Sequence, residues 1–116
     1  MPVKLIEHTP EAYAYPLLIK QLLHTPLAIA PEQEITYMGG RRHTYRVLRE
    51  RIGRLASALS GLGVEAGETV AMMDWDSHRY LECFFAVPMM GAILQTVNVR
   101  LSPEQILYTL NHARAD

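Results

Sequence analysis

The sequence predicts an α/β fold: an incomplete parallel sheet flanked by helices, with a small β-hairpin ahead of it. Three observations carry the expectation. Helical and short apolar strand-like patterns alternate between residues 45 and 113. The strand–helix–strand run over 69–97 has short connections, which requires a right-handed crossover and hence parallel strands. A Gly-Gly pair divides two short extended runs, the mark of a hairpin.

Pro10, Pro16, Pro26 and Pro31 interrupt the first third of the chain too often for a long straight helix, while 17–23 supplies about two apolar turns. Residues 1–31 are therefore expected to be a leader with one short helix, laid over a larger body or a partner and a candidate dimer contact; 32–116 begin the α/β domain. The hairpin strands are expected at 34–37 and 42–44, around Met38, Gly39, Gly40 and Arg41. In 45–62, Tyr45, Leu48, Ile52, Leu55, Ala56, Leu59 and Leu62 recur at helical spacing, and Gly61 and Gly63 end that helix. A short apolar run at 69–74 reads as a buried strand. Asp76 or Ser77 can cap the next helix, 77–91, which Pro88 should kink and Gly91 close. A second strand follows at 93–97. Ser102, Pro103 and Gln105 then spell a capping box with proline at the first helical position, and Ile106, Leu107, Leu110 and Ala113 should face inward. The pattern anticipates a further strand after Asp116, and a sheet left with a bare apolar flank should self-associate.

The chain has 116 residues, room for one domain. A net charge of −1 provides no global field for nucleic acid or an anionic membrane. Cys83 is the single cysteine, so no internal disulfide exists, which fits a reducing compartment. Lys4 is the one basic residue ahead of Glu7 and Glu11, without an apolar core, so a secretory signal is not expected. The apolar run 84–90 is too short to span a bilayer. A cytoplasmic location, at most peripheral to a membrane, is the expectation.

Candidate chemistry is sparse. Gly61, Gly63 and Gly67 stand at G-x-G-x-x-x-G, one residue off the dinucleotide pattern, and lie after a helix and before a strand, so they read as a helix stop and a turn. His8, His24, His43, His78 and His112 are never three or four residues apart, which disfavours a local zinc site. Cys83, beside Phe84 and Phe85, reads as a buried inert thiol. Ser57, Ser60, Ser77 and Ser102 lack the G-x-S-x-G elbow of a nucleophile. Arg41, Arg42, Arg46, Arg49, Arg51 and Arg54 cluster around a single acid, Glu50; they suit a solvated helix face, or a phosphate, acidic partner or subunit contact. Asp74 and Asp76 stand at a strand end, where α/β proteins place ligands, yet two carboxylates do not make a metal site. No catalytic, cofactor-binding or metal residue is assigned.

Three blocks follow one another in order: Thr44, Tyr45, Leu48, Arg51 and 55–59, with Leu62, Gly63, Val64, Gly67, Glu68, Val70 and Ala71; Tyr80, Leu81 and Glu82 with 84–92; and 96–106 with 110–113. By these blocks residues 44–115 resemble the amino-terminal region of the acyl-adenylate-forming enzymes, the superfamily of acyl-CoA synthetases and luciferases. The third block is most similar to medium- and long-chain fatty-acyl-CoA ligases. Many relatives carry asparagine where Asp76 stands and proline where Val99 stands. The resemblance implies a large amino-terminal domain that, in the whole enzyme, uses ATP, Mg2+, CoA and a fatty acid, and a homo-oligomer. The phosphate loop, adenylate-binding segments and catalytic lysine of the family match no residue here, so this chain alone is expected to be inactive and to bind no cofactor; the alternatives are a non-enzymatic interaction module, binding through its open sheet edge or the Arg41–Arg54 cluster, and an enzyme of the same superfamily that adenylates an aryl or other acid.

Overall fold

The computed structural model describes residues 7–115; residues 1–6, with Lys4, and Asp116 lie outside the described residues. A 3-10 turn at Ile19–Leu23 runs directly into a short helix, α1, at His24–Ile29. The predicted two turns thus exist, but the first is the tighter kind and the helix extends past 23.

The hairpin pairs β1 (Glu34–Tyr37) with β2 (Arg41–Thr44) antiparallel, Glu34 opposite Thr44 and Tyr37 opposite Arg41. Arg41 is a strand residue, not a turn residue. Met38 and Gly39, not the Gly-Gly pair, take the positive φ angles of 49° and 70°. Both central positions are then left-handed, which matches the twist of the strands they join.

Helix α2 spans Tyr45–Gly61 and is capped by Thr44, whose hydroxyl accepts from the Val47 N–H at 3.2 Å. It ends in a Schellman turn: Val64 N–H donates to Leu59 C=O at 3.1 Å and Gly63 N–H to Ser60 C=O at 3.0 Å, with Gly63 at φ 98°. That turn carries Leu62 out of the helix, leaving it 82% exposed instead of on the inward face.

β3 (Thr69–Met72) and β4 (Ile93–Thr96) pair parallel, Thr69 opposite Ile93 and Met72 opposite Thr96, with α3 (His78–Met89) as the crossover. The crossover order is as predicted, with shorter strands. α3 stops one residue past Pro88, and Gly91 closes it at φ 83°. Gly91 also leaves room for the preceding loop: a Cβ there would lie 3.2 Å from the Cβ of Ala66. α4 (Pro103–Ala113) has the full capping box of Ser102 and Gln105. Ile106, Leu110 and Ala113 are half-buried, whereas Leu107 is exposed, contrary to expectation. At about 100° per residue, Leu107 stands roughly a quarter-turn off the stripe that the other three form.

The core lies between α2 and α3. Leu48 and Ile52 of α2 meet Ala86 of α3, and Leu23 of the 3-10 turn closes the end. Apolar surface remains open elsewhere, with Leu17, Leu22, Ile29 and Tyr108 exposed. Among the described residues, no helix is long and apolar enough to cross a membrane.

Candidate functional site

The carboxyl ends of the two parallel strands open into a cleft of about 200 Å³, lined by residues 74–76 after β3, Tyr80 of α3, and 96–100 at and beyond the end of β4. Parallel strands emit their connecting loops at this end, so side chains from two loops converge on one hollow. The ladder closes just beneath it, where the Val97 N–H donates to Met72 C=O at 2.9 Å.

The acid at the strand end is Asp74. Its carboxylate accepts from the Ser77 hydroxyl and from the Trp75 N–H at 2.7 Å, and Arg79 stands 3.7 Å away. These contacts, the Ser77 hydrogen bond foremost, hold the Asp74 carboxyl below the usual carboxylate range. Ser77 is the helix cap, accepting from the N–H groups of Arg79 and Tyr80 at 3.2 and 3.3 Å. Asp76 instead sits in the left-handed region at φ 48°. One serine hydroxyl therefore fixes both the acid and the helix start.

Across the cleft, the Arg100 guanidinium lies 5.3 Å from the centre of the exposed Trp75 ring. The Arg100 N–H also donates to the Asn98 side chain at 3.0 Å. Tyr80 forms the floor, buried against Phe84 with ring centres 5.0 Å apart. Burial first, and Asp76 second, push the Tyr80 phenol up; a hydrogen bond with the Thr96 side chain opposes them. The hollow thus offers two aromatic side chains, Trp75 and Tyr80, one cation, two carboxylates and fixed polar groups. It suits binding and positioning; it has no nucleophile paired with a base.

The remaining candidates resolve into structural roles. Gly67 donates its N–H to Gly91 C=O at 2.9 Å, so the glycine run is a turn that buttresses α3, as read from the sequence. Cys83 is buried, and burial pushes its thiol up, away from the reactive thiolate. Ser57 and Ser60 are exposed on α2, and Ser102 caps α4. His8 and His24 are exposed, and His112 stacks on Tyr108 at 5.8 Å. Among the described residues, no three His, Cys, Asp or Glu side chains stand close enough to hold a metal ion.

The arginine cluster divides. Arg42 pairs with Glu34 at 2.9 Å, and Arg46 pairs with Glu32. Arg51 reaches inward from α2 to Glu82 of α3, at 2.5 Å through Nε and 3.3 Å through its second nitrogen. Glu82 is buried, so this pair is a strut between the two core helices. Sequence reasoning left Glu82 unplaced; an acid inside the apolar run of α3 was the available signal, since a buried charge demands a partner. The contact of His43 with His78, ring centres 5.6 Å apart, had no signal in linear spacing.

With this geometry in hand, residues 23–116 match the family model described as "AMP-binding enzyme". A long-chain-fatty-acid–CoA ligase of Thermus thermophilus is 50% identical over 72 residues, covering 62% of this chain and 13% of the relative. A 3-methylmercaptopropionyl-CoA ligase of Ruegeria pomeroyi is 34% identical over 102 residues, covering 84% of this chain and 19% of the relative. Among solved structures, an anthranilate CoA ligase in complex with anthranoyl-AMP superposes with a TM-score of 0.75 at 29% identity, over 82% of this chain and 18% of that one. The chain therefore covers less than a fifth of the length of each of these three proteins.

Proposed function

The chain belongs to the family of AMP-binding enzymes, and from that premise we propose that it forms the amino-terminal part of a CoA ligase that activates a medium- or long-chain fatty acid. In that reaction the acid's carboxylate oxygen attacks the α-phosphorus of ATP, the bond to the β-phosphate oxygen breaks, and pyrophosphate leaves. The CoA thiol then attacks the acyl carbon of acyl-AMP, its proton is lost, and AMP leaves. The single observation that carries the reading is the ordered match over 23–116. The fatty-acid assignment leans on half of the residues being shared with the Thermus relative over the aligned stretch.

Among the described residues no group of three His, Cys, Asp or Glu side chains could hold a metal ion, and the glycine-run N–H of Gly67 is spent inside the fold. No step of the chemistry is assigned to them. In the proposal this chain supplies scaffold: the β3–α3–β4 unit and the cleft at its carboxyl end. Residues 1–31 serve as a contact between two copies, and the protein works in the cytoplasm. A second reading keeps the reaction and changes the acid to an aryl acid, favoured by the superposition on the anthranilate ligase.

The test is a thioester assay on the product of the complete reading frame and on the 116-residue chain, with ATP, CoA and a panel of fatty and aryl acids. The proposal expects ATP-dependent acyl-CoA and AMP from the former, fastest with a fatty acid, and none from the latter. Preference for benzoate- or anthranilate-like acids would select the second reading. Acyl-CoA formed by the short chain alone would overturn the scaffold assignment.

A further inference from the structure

A cluster at the start of α3 plays no part in the ligase reading. His78 is the first residue of that helix; its ring centre lies 5.2 Å from Tyr37 of β1 and 5.6 Å, edge to face, from His43 of β2. These rings join the hairpin to the helix. The Nδ1 atom of His78 is buried and has no hydrogen-bond partner. A neutral imidazole tolerates that position as a bare acceptor. A protonated one carries N–H donors on both nitrogens and would strand one of them beside added charge.

The surrounding charges point the same way. Arg41 of β2, Arg79 of α3 and the second imidazole, His43, are the cations and potential cation in range. The amino end of α3 adds its own positive partial charge. Two acids oppose them, and both are engaged: Glu82, one turn along α3, by Arg51 of α2, and Asp74 by Ser77, Trp75 and Arg79. Tyr37 contributes a neutral ring.

We propose that the His43–His78 pair is a proton-operated latch: neutral imidazoles seat the β1–β2 hairpin on the start of α3, and protonation of His78 unseats it. Burial first, then Arg41 and Arg79, push the His78 imidazole below its ordinary value, with Glu82 pulling weakly against them. A depressed value means that the seated state refuses a proton which the unseated state accepts. Seating is therefore at full strength above the ordinary histidine value, about 6.5, and weakens as pH falls below it. The motion would reach the core, because Thr44 both ends β2 and caps α2.

Amide hydrogen exchange followed by NMR on the full chain tests the latch, with rates corrected for their intrinsic pH dependence. Between about pH 7.5 and about pH 5 the opening equilibrium of β1 and β2 amides should rise, by up to roughly tenfold for each pKa unit of depression, while α4 amides stay level. His78→Phe keeps a ring and removes the titration, so its hairpin opening should be flat over the same range. Should that variant fold poorly, the wild-type ring signals decide, with His78 titrating below the ordinary histidine value. Level hairpin opening in the parent, an equal rise in His78→Phe, or His78 titrating at or above the ordinary histidine value would each overturn the latch.

Discussion

The strut between α2 and α3 allows one perturbation to be worked through. Glu82 keeps 7% of its side chain exposed and Arg51 keeps 33%, so the acid is dry and the base is partly wet. Replacing Arg51 by methionine preserves the stem that packs on the helix but removes the partner of a buried carboxylate. Stranding a fully buried charge costs about 3–5 kcal/mol. Water reaching the Arg51 end discounts that figure, so Arg51→Met should cost about 2–3 kcal/mol. Glu82→Leu leaves the arginine free to turn outward and should cost less, about 1 kcal/mol. In Arg51→Met/Glu82→Leu an apolar contact replaces the ion pair, and the double variant should lie within about 1 kcal/mol of the parent. The coupling in the cycle, the two single costs less that of the double variant, is then about 3 kcal/mol. Urea denaturation of the four proteins reads it, with Arg51→Met lowering the midpoint by about 1 M at slopes of roughly 2 kcal/mol/M. A coupling below about 0.5 kcal/mol would refute the strut and return Arg51 to the solvated face with Arg49 and Arg54.

Gly91→Ala places a Cβ 3.2 Å from Ala66 in a left-handed residue at φ 83°, and should lower stability by about 1–2 kcal/mol in the same denaturation assay. Ser77→Ala removes the cap of α3 at about 1 kcal/mol and also frees Asp74, so Asp74 should titrate closer to an ordinary carboxylate by NMR. Because the Asp74 value is depressed in the folded chain, its contribution is fully present above about pH 4 and fades as pH falls through the folded value. Acid unfolding of Ser77→Ala should therefore depend less steeply on pH than that of the parent.

Local order in this chain was readable because it is set by residues close in sequence. The capping box of Ser102 and Gln105, the stop at Gly63 and the stripe of Leu48 and Ile52 each concern one or two turns of backbone. The crossover from β3 to β4 followed from short connections and a fixed handedness, and the family likeness from the order of three blocks. Errors arose where a neighbour in space overruled a pattern. Leu62 and Leu107 continued apolar runs but lie off the faces that meet other elements. Met38 took a strained turn position that the paired strands imposed on it.

The sequence by itself determined the element types, the parallel crossover and the family, since periodicity, caps and block order are properties of a line of residues. Only the tertiary structure decided which polar and aromatic side chains meet. Arg51 finds Glu82, His78 finds His43 and Arg100 covers Trp75 because α2 packs on α3, the hairpin folds over its start, and two strands end side by side. Such contacts depend on distance in space, which falls to a few ångströms between residues that the chain separates by tens of positions.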